Sequence, residues 1–206
     1  SAGCPDFTYQ AEENAWVVKL LLEAGGLLIG KTNMDQFATG LVGTRSPYGV
    51  PANAFDPKFI PGGSSSGSAV ALAKGLVSFS LGTDTAGSGR VPASFQNLLG
   101  FKPSRGRLSC RGIVPACRSL DCVSVFGLQT SDLVIIEKVL SVHDSRDPFS
   151  RKMPGLGSLK LREVPRVAIS PPEQLEFFGD ALAQDAYNES IEVLSRAGLN
   201  LEILDM

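Results

Sequence analysis

The hydrophobic pattern along the chain alternates between helical and strand-like segments. Apolar residues at helical spacing predict helices over 12–24, 66–74, 91–99, 131–141 and 181–197. Short apolar runs predict buried strands over 27–30, 76–82, 122–128, 166–170 and 199–204. This alternation predicts an α/β fold in which helices flank a layered, mixed β-sheet.

Glycines and capping residues mark where the predicted elements end. Gly25 and Gly75 follow helical segments and are expected to terminate them, because glycine adopts left-handed backbone angles at low cost. Asn33 is a candidate cap for a short helix through Phe37, and Ser131 is one for the helix that it opens. Residues 40–62 and 146–165 are polar and rich in turn formers, so the first is predicted as a long loop and the second as a surface excursion.

Composition narrows the class of protein. The chain has 206 residues, a net charge of −2 and 43% hydrophobic residues, enough for one sizeable domain or a large part of one. The balanced charge argues against nucleic acid or a membrane as the main partner. Four cysteines without a C-x-x-C pair, and a single histidine, His143, argue against a zinc site. Reduced thiols favour a cytoplasmic location.

The segment GGSSSGS, residues 62–68, has three readings from its residues alone. As a flexible linker it is too short, because it enters a helical pattern at once. As a phosphate loop it lacks the lysine of a P-loop, since Gly67 is followed by Ser68. As a G-x-S-x-G elbow it would make Ser65 the nucleophile, but no strand precedes it and His143 is the only histidine base available.

A second serine motif, TDTAGSGR, occupies residues 83–90 after a predicted strand. The amides of Thr85, Ala86, Gly87 and Ser88 could point together at an oxyanion, a large catalytic contribution in acyl transfer. The flanking Asp84 and Arg90 are supporting residues that could form an ion pair or cap the turn. Ser64 precedes Ser88 by 24 residues, which is one turn, one helix and one strand back. With one histidine in the chain, a serine–lysine arrangement is the alternative base.

PGGSSSGSAVALAKGLVSFSLGTDTAGSGRVPAS resembles the hallmark segment of the amidase signature family, most clearly within residues 1–145 of this chain. The resemblance implies a Ser–cis-Ser–Lys triad with Ser88 as the nucleophile and Ser64 as the bridging serine after a cis bond from Gly63. Ser65 and Ser66 would support the site as hydrogen-bonding residues, and the amides of residues 85–88 would hold the oxyanion. We then expect the Ser64 and Ser88 hydroxyls within about 3.2 Å of each other. The family needs no metal and no organic cofactor.

Two further segments, GKTNMDQFATGLVGTRSPYG (30–49) and GIVPACRSLDCVSVF (112–126), resemble the allophanate-hydrolysing branch of the family, the amidase half of the urea amidolyase route. A small amide is therefore the expected substrate, and Gly40, Arg45 and Arg118 are the candidates for contacting it. The alternatives are a glutamine amidase subunit of a tRNA-dependent amidotransferase, a broad-specificity amidase, and a non-catalytic module that keeps the fold.

The family's lysine lies on a V-K-D-N-like strand upstream of the first serine motif, and the chain opens at a segment that resembles the one after that strand. Residues 1–206 are therefore expected to be a partial amidase signature domain, without the lysine-bearing strand and the C-terminal part. Lys31 belongs to a different family segment and does not take the role. The chain alone is expected to show little or no activity and an exposed sheet edge. The resemblance allows a homodimer in the full-length protein.

Overall fold

A computed structural model describes residues 1–154 and 165–204. The chain divides into two compact units, Ser1–Leu156 and Gly157–Met206. The first unit holds helices α1 (Trp16–Glu23), α2 (Ser66–Ala73), α3 (Arg90–Phe95) and α4 (Thr130–Leu140), strands β1 (Ser80–Thr83), β2 (Leu99–Phe101) and β3 (Val123–Gly127), and a 3-10 turn, Gln36–Ala38. The second holds β4 (Arg166–Ile169), a 3-10 turn at Pro172–Gln174, α5 (Ala181–Arg196) and β5 (Asn200–Ile203).

Strand β3 lies at the centre of the first unit, with β1 and β2 antiparallel on either side. Because side chains alternate along a strand, β3 supplies two cores. Val123 and Val125 join a cluster with residues of α1 and α4, namely Val17, Ile136 and Leu140. Phe126 joins the other cluster with residues of α2 and α3, namely Ala69, Leu72 and Ala93. Helices therefore cover both faces of the sheet, in the layered α/β arrangement predicted from the sequence.

Small residues let the serine motifs approach this sheet closely. Gly82 of β1 pairs with Ser124 of β3. A Cβ on Gly82 would lie 2.5 Å from Ser65 Oγ, and a Cβ on Gly89 would collide with Ser124 Oγ. Both serine motifs thus rest directly on a cross-strand pair that has almost no side-chain volume.

The second unit is a parallel β-α-β arrangement. Strands β4 and β5 pair in parallel, and α5 connects them. The Asp180 side chain caps α5 by accepting a hydrogen bond from Ala183 N at 3.0 Å. The sequence predicted one mixed sheet. In the described residues the antiparallel strands form one sheet and the parallel strands form another. None of the described helices combines the length and apolarity needed to cross a bilayer.

The strand predicted over 27–30 is wrong. Leu27, Leu28 and Ile29 form no strand, and their exposed fractions are 87%, 59% and 72%. An apolar run becomes a buried strand only when a neighbouring strand pairs with it, and no described strand lies there. The helix before it begins at Trp16 rather than at residue 12, and Gly25 with φ +90° follows its end as predicted.

Smaller errors have local causes. The helix predicted over 91–99 ends at Phe95 because Asn97 adopts φ +51°, and β2 follows. The strand predicted over 76–82 is confined to Ser80–Thr83. Ser131 lies inside α4, which begins at Thr130, and so it does not cap the helix. Asn33 caps no helix, since its Oδ1 accepts from Met34 N and Ser46 Oγ.

The other predicted elements stand close to their expected bounds. The helix α2, the strand β3, the helix α5 and the helix-free stretch 40–62 all occur. Of the predicted surface excursion over 146–165, residues 146–154 carry no helix or strand, and residues 155–164 lie outside the described part of the chain.

Candidate active site

The two serine motifs meet in the first unit. Ser64 and Ser88 are buried, with exposed fractions of 0% and 3%. Ser65 N donates a hydrogen bond to Ser88 O at 3.3 Å, so the two chain segments run side by side. The peptide bond between Gly63 and Ser64 is cis, as the family resemblance implies. The helix α2 and the strand β1 between the motifs return the chain to its starting point.

The expected contact between the two hydroxyls is absent. Ser64 Oγ is buried and has no hydrogen-bond partner among the described residues. Ser64 Oγ therefore makes no hydrogen bond to Ser88 Oγ in the described structure. A bridging hydroxyl is oriented by both of its neighbours, and the lysine expected on its other side is not assigned to any residue of this chain. The backbones of the two serines are in place without the hydroxyl relay.

Ser65 serves the structure of the site. Its Oγ donates to Thr83 O and accepts from Thr83 N, both at 3.2 Å. These bonds tie the start of α2 to the end of β1 and occupy the hydroxyl on both sides. This geometry favours a supporting role for Ser65. It does not favour the G-x-S-x-G interpretation, in which Ser65 is the nucleophile.

Asp84 organises the turn that carries Ser88. Its carboxylate is fully buried and accepts amide hydrogen bonds from Gly87 at 2.7 Å and from Gly89 and Arg90 at 3.1 Å. The Arg90 guanidinium adds two bonds, from Nε at 2.9 Å and from Nη2 at 3.0 Å. Burial alone would raise the pKa of Asp84, but the bonds from Arg90 and the amides outweigh it and hold that pKa below its usual range. The predicted ion pair and turn cap are both present.

Removing this carboxylate should destabilise the first unit. Asp84→Asn keeps the shape but cannot accept all five bonds, so we expect the free energy of unfolding at pH 7 to fall by about 2 kcal/mol. Because the folded-state pKa of Asp84 is depressed, its stabilisation is complete above its unfolded pKa of about 3.9 and is lost as the pH falls through the folded value. Urea denaturation at pH 7 and near pH 3 should show a smaller difference between the two proteins at the lower pH. An equal difference at both values would contradict this account.

The predicted oxyanion hole needs one correction. The amide of Gly87 donates to Asp84 Oδ1, so it serves the turn and not a substrate. The amides of Thr85, Ala86 and Ser88 donate no hydrogen bond to any other group in the described ranges. Three of the four predicted donors are therefore without an acceptor among the described residues.

The loop that carries Gly40 and Arg45 lies against both serine motifs. Leu41 O accepts from Gly63 N at 2.8 Å, and the Leu41 side chain lies 3.4 Å from the position of a Cβ on Gly87. The exposed Arg45 side chain packs over Gly40, which has φ +104°. The guanidinium of Arg45 makes no ion pair with a described residue, so its charge is available to a ligand.

Arg118 lies on a turn that Asp121 links to the TDTAGSGR motif. The sequence motifs did not mark Asp121. Asp121 accepts from Thr85 Oγ1 at 2.5 Å and from the amides of Ala116 and Cys117 at 3.1 and 2.9 Å. Arg118 is exposed and has no ion-pair partner in the described ranges. It lines a cleft of about 620 Å³ with Asp121, and none of the serines of the two motifs lines that cleft. A carboxylate three residues after an arginine in a turn-rich segment is the only signal that could have indicated Asp121.

Lys31 is exposed and lines a second cleft, of about 350 Å³, together with Asn33 and Thr83. Thr83 of the second serine motif lines this cleft, and none of the serines of the two motifs does. Within residues 1–154 and 165–204 no cluster of histidine, cysteine and carboxylate side chains could hold a metal ion.

Two of the four cysteines, Cys110 and Cys122, are unsuited to act as a competing nucleophile. All four are free thiols. Burial, with a smaller effect of Asp147, Cys122 and Asp121, raises the pKa of Cys110 to about 12, and burial also raises the pKa of Cys122. Both thiols therefore stay protonated near neutral pH, and a protonated thiol is a poor nucleophile.

A family model described as Amidase matches residues 1–206. The chain belongs to the amidase family, and the likeness extends over its whole length and not mainly over residues 1–145. It is 48% identical over 207 residues to the urea amidolyase of Lachancea kluyveri, covering 100% of this chain and 11% of that protein. It is 38% identical over 192 residues to a glutamyl-tRNA(Gln) amidotransferase subunit of Mycoplasma pneumoniae, covering 91% of this chain and 40% of that one.

Among solved structures, the chain is similar to Kluyveromyces lactis allophanate hydrolase, with a TM-score of 0.95 and 47% identity over 100% of this chain and 33% of that chain. The chain therefore spans about a tenth of the urea amidolyase and about a third of the allophanate hydrolase chain. The fold class predicted from the sequence is confirmed.

Proposed function

We propose that the chain is the serine-bearing part of an amide hydrolase of the Ser–cis-Ser–Lys type. The observation that carries this proposal is the side-by-side placement of two buried serines, Ser64 and Ser88, at the meeting point of two turns. Three unengaged amides next to Ser88 add the donors that a tetrahedral intermediate needs. A module that only kept the fold would have no need for either feature.

The proposed reaction has two halves. Ser88 Oγ attacks the amide carbonyl while its proton passes to Ser64 Oγ, and Ser64 passes its own proton to a neutral lysine from outside residues 1–206. The amides of Thr85, Ala86 and Ser88 stabilise the oxyanion. The relayed proton then goes to the leaving nitrogen, ammonia departs, and an acyl-Ser88 ester remains. Water hydrolyses this ester by the same relay and frees the acid and the Ser88 hydroxyl.

We propose allophanate as the substrate of the full-length protein. Hydrolysis at Ser88 releases one ammonia and an N-carboxycarbamate, which decomposes to a second ammonia and two molecules of carbon dioxide. The likeness to urea amidolyase and to allophanate hydrolase supports this choice. The free guanidinium groups of Arg45 and Arg118 suit a substrate with a carboxylate, which arginine binds through paired hydrogen bonds. The likeness to a glutamyl-tRNA(Gln) amidotransferase subunit keeps a glutamine amidase as the second candidate.

Ammonia release by the full-length protein tests the substrate. We expect the highest kcat/KM for allophanate, a lower value for malonamate, and little turnover of glutamine or simple aliphatic amides. Preferred turnover of glutamine would favour the amidotransferase alternative, and equal rates on all amides would favour a broad-specificity amidase.

Removing either arginine should weaken substrate binding selectively. For Arg45→Ala and Arg118→Ala we expect KM for allophanate to rise about tenfold each, the cost of one charge-assisted contact of about 1.4 kcal/mol. The KM for an uncharged amide should hardly change. Arg196→Ala, at the exposed end of α5, is the control and should leave both values as they are. A rise of equal size for charged and uncharged amides would contradict the assignment of these arginines to the carboxylate.

For residues 1–206 alone we propose little or no amidase activity, because the hydroxyl relay is incomplete. Ammonia release near that of the full-length protein would show that a base inside the chain serves, and Lys31→Ala would then be the first variant to examine. A cytoplasmic location and a homodimer of the full-length protein stay predictions from the resemblance.

A further inference from the structure

Asp35 is a buried carboxylate to which the proposed mechanism gives no role. It comes from the GKTNMD segment and has an exposed fraction of 0%. Its Oδ1 accepts from Arg45 N at 2.7 Å and its Oδ2 from Gly43 N at 3.0 Å. No described cation forms an ion pair with it. A buried charge is costly without such partners, so the two backbone amides are what retains this carboxylate in place.

The same residue contacts both sides of the bond that leads into Ser64. Asp35 N donates to Ser64 O at 3.0 Å. A Cβ added to Gly63 would collide with Asp35 Oδ2, so the carboxylate lies directly against the Gly63 backbone. Asp35 therefore fixes Ser64 through its main chain and Gly63 through its side chain.

Asp35 also links Ser64 to the substrate loop. The loop from Gly40 to Arg45 is held by the carboxylate at Gly43 and Arg45, and Gln36 N donates to Arg45 O at 2.9 Å. Leu41 of this loop touches the segment of Gly87 and accepts from Gly63. A displacement of the Asp35 carboxylate would therefore move the loop and Ser64 relative to Ser88.

We infer that Asp35 is a positioning residue that holds the Gly63–Ser64 backbone in place beside Ser88, as proton transfer between the two serines requires. The inference rests on the proposed function, since it assumes that Ser64 relays a proton. The carboxylate acts through Gly63, which precedes Ser64, and through the loop amides of Gly43 and Arg45. Proton transfer requires hydroxyls at hydrogen-bond distance, and a misplacement of about 1 Å costs about 100-fold in rate.

The test is Asp35→Asn in the full-length protein. Asparagine keeps the shape, but its Nδ2 cannot accept a hydrogen bond, so one of the two loop amides loses its partner. We expect kcat for ammonia release to fall at least about 30-fold, and KM to change by less than kcat. The rate at which a fluorophosphonate probe labels Ser88 should fall in proportion to kcat. The control is Asp56→Asn, because Asp56 Oδ1 also accepts a backbone amide, that of Lys58 at 2.9 Å, within the same long loop; its kcat should match that of the unmodified protein.

Rates are expressed per labelled site, so misfolded molecules do not contribute. A role in folding alone would lower the yield and the melting temperature but leave kcat per site within about twofold, and that result overturns the inference. If Asp35→Asn gives no soluble protein, Asp35→Glu is measured in the same way, since it keeps the charge but displaces it by one methylene. An unmodified protein without amidase activity or probe labelling would overturn the proposed function and this inference with it. An active protein that is insensitive to both substitutions would overturn this inference alone.

Discussion

Ser88→Ala is expected to lower amide hydrolysis by the full-length protein by at least about 10⁴-fold, because no other buried hydroxyl is placed to attack the carbonyl. Ser88 is 3% exposed and its turn is held by Asp84, so loss of one hydroxyl should leave the fold and the oxyanion donors intact. Ammonia release measures the loss of turnover. A fluorophosphonate probe should label the unmodified protein once and the variant not at all.

The matched control is Ser94→Ala, an exposed serine on the helix that follows the same turn. It should keep full activity and labelling. Substantial activity in Ser88→Ala would contradict the assignment of Ser88 as the nucleophile. Labelling of Ser65 in that variant would also contradict it and would favour the G-x-S-x-G interpretation.

Ser64→Ala is expected to lower kcat by roughly 10³-fold, within the range for loss of a general acid–base group. The Ser64 hydroxyl makes no hydrogen bond to a described residue, so its removal breaks no hydrogen bond of the described structure. The change should therefore act on the chemistry and not on stability. Probe labelling of Ser88 should still occur, but much more slowly, because the nucleophile stays while its proton acceptor is lost.

Ser66→Ala is the control for this second prediction. Ser66 Oγ is also buried without a partner in the described residues, two positions away on the first turn of α2. It should behave like the unmodified protein in both assays. A loss of stability in Ser64→Ala that equals its loss of activity would instead assign the hydroxyl to the fold of the complete protein.

The sequence predicted those elements whose signals are local. The helix α2 follows from an apolar pattern that a glycine with left-handed angles ends, and β3 follows from a run that is buried on both faces. The wrong predictions concern segments whose structure depends on residues distant in the sequence. The apolar run 27–30 reads as a strand, but a strand also requires a neighbour. Asn97 broke a predicted helix by adopting φ +51°, which asparagine does more readily than most residues and which its sequence context did not indicate.

For the candidate site, resemblance located the serines and physical reasoning located their turn. The ion pair of Asp84 with Arg90 was predicted from residue type and spacing, and the supporting role of Ser65 from the family resemblance. Asp35 could not be found in this way, because its carboxylate accepts only backbone amides, from a loop whose sequence gives no sign of the contact. Asp121 had one weak signal, its spacing from Arg118, and it also accepts backbone amides. Backbone partners leave no pattern of side chains in a sequence. The hydroxyl contact between the two serines failed for another reason, since it depends on a third group that residues 1–206 do not assign.

The small cross-strand pair under the site has a consequence for how this protein can vary. Gly82 and Ser124 are opposite each other in the register of β1 and β3, and the two serine motifs rest on them through Ser65 and Gly89. Shifting the register by one residue would put Leu81 or Val125 into that space and lift both motifs off the sheet. One steric unit is therefore formed by positions 65, 82, 89 and 124. A larger side chain at one of these positions requires a smaller side chain at another. In a set of relatives these four positions should change together or not at all.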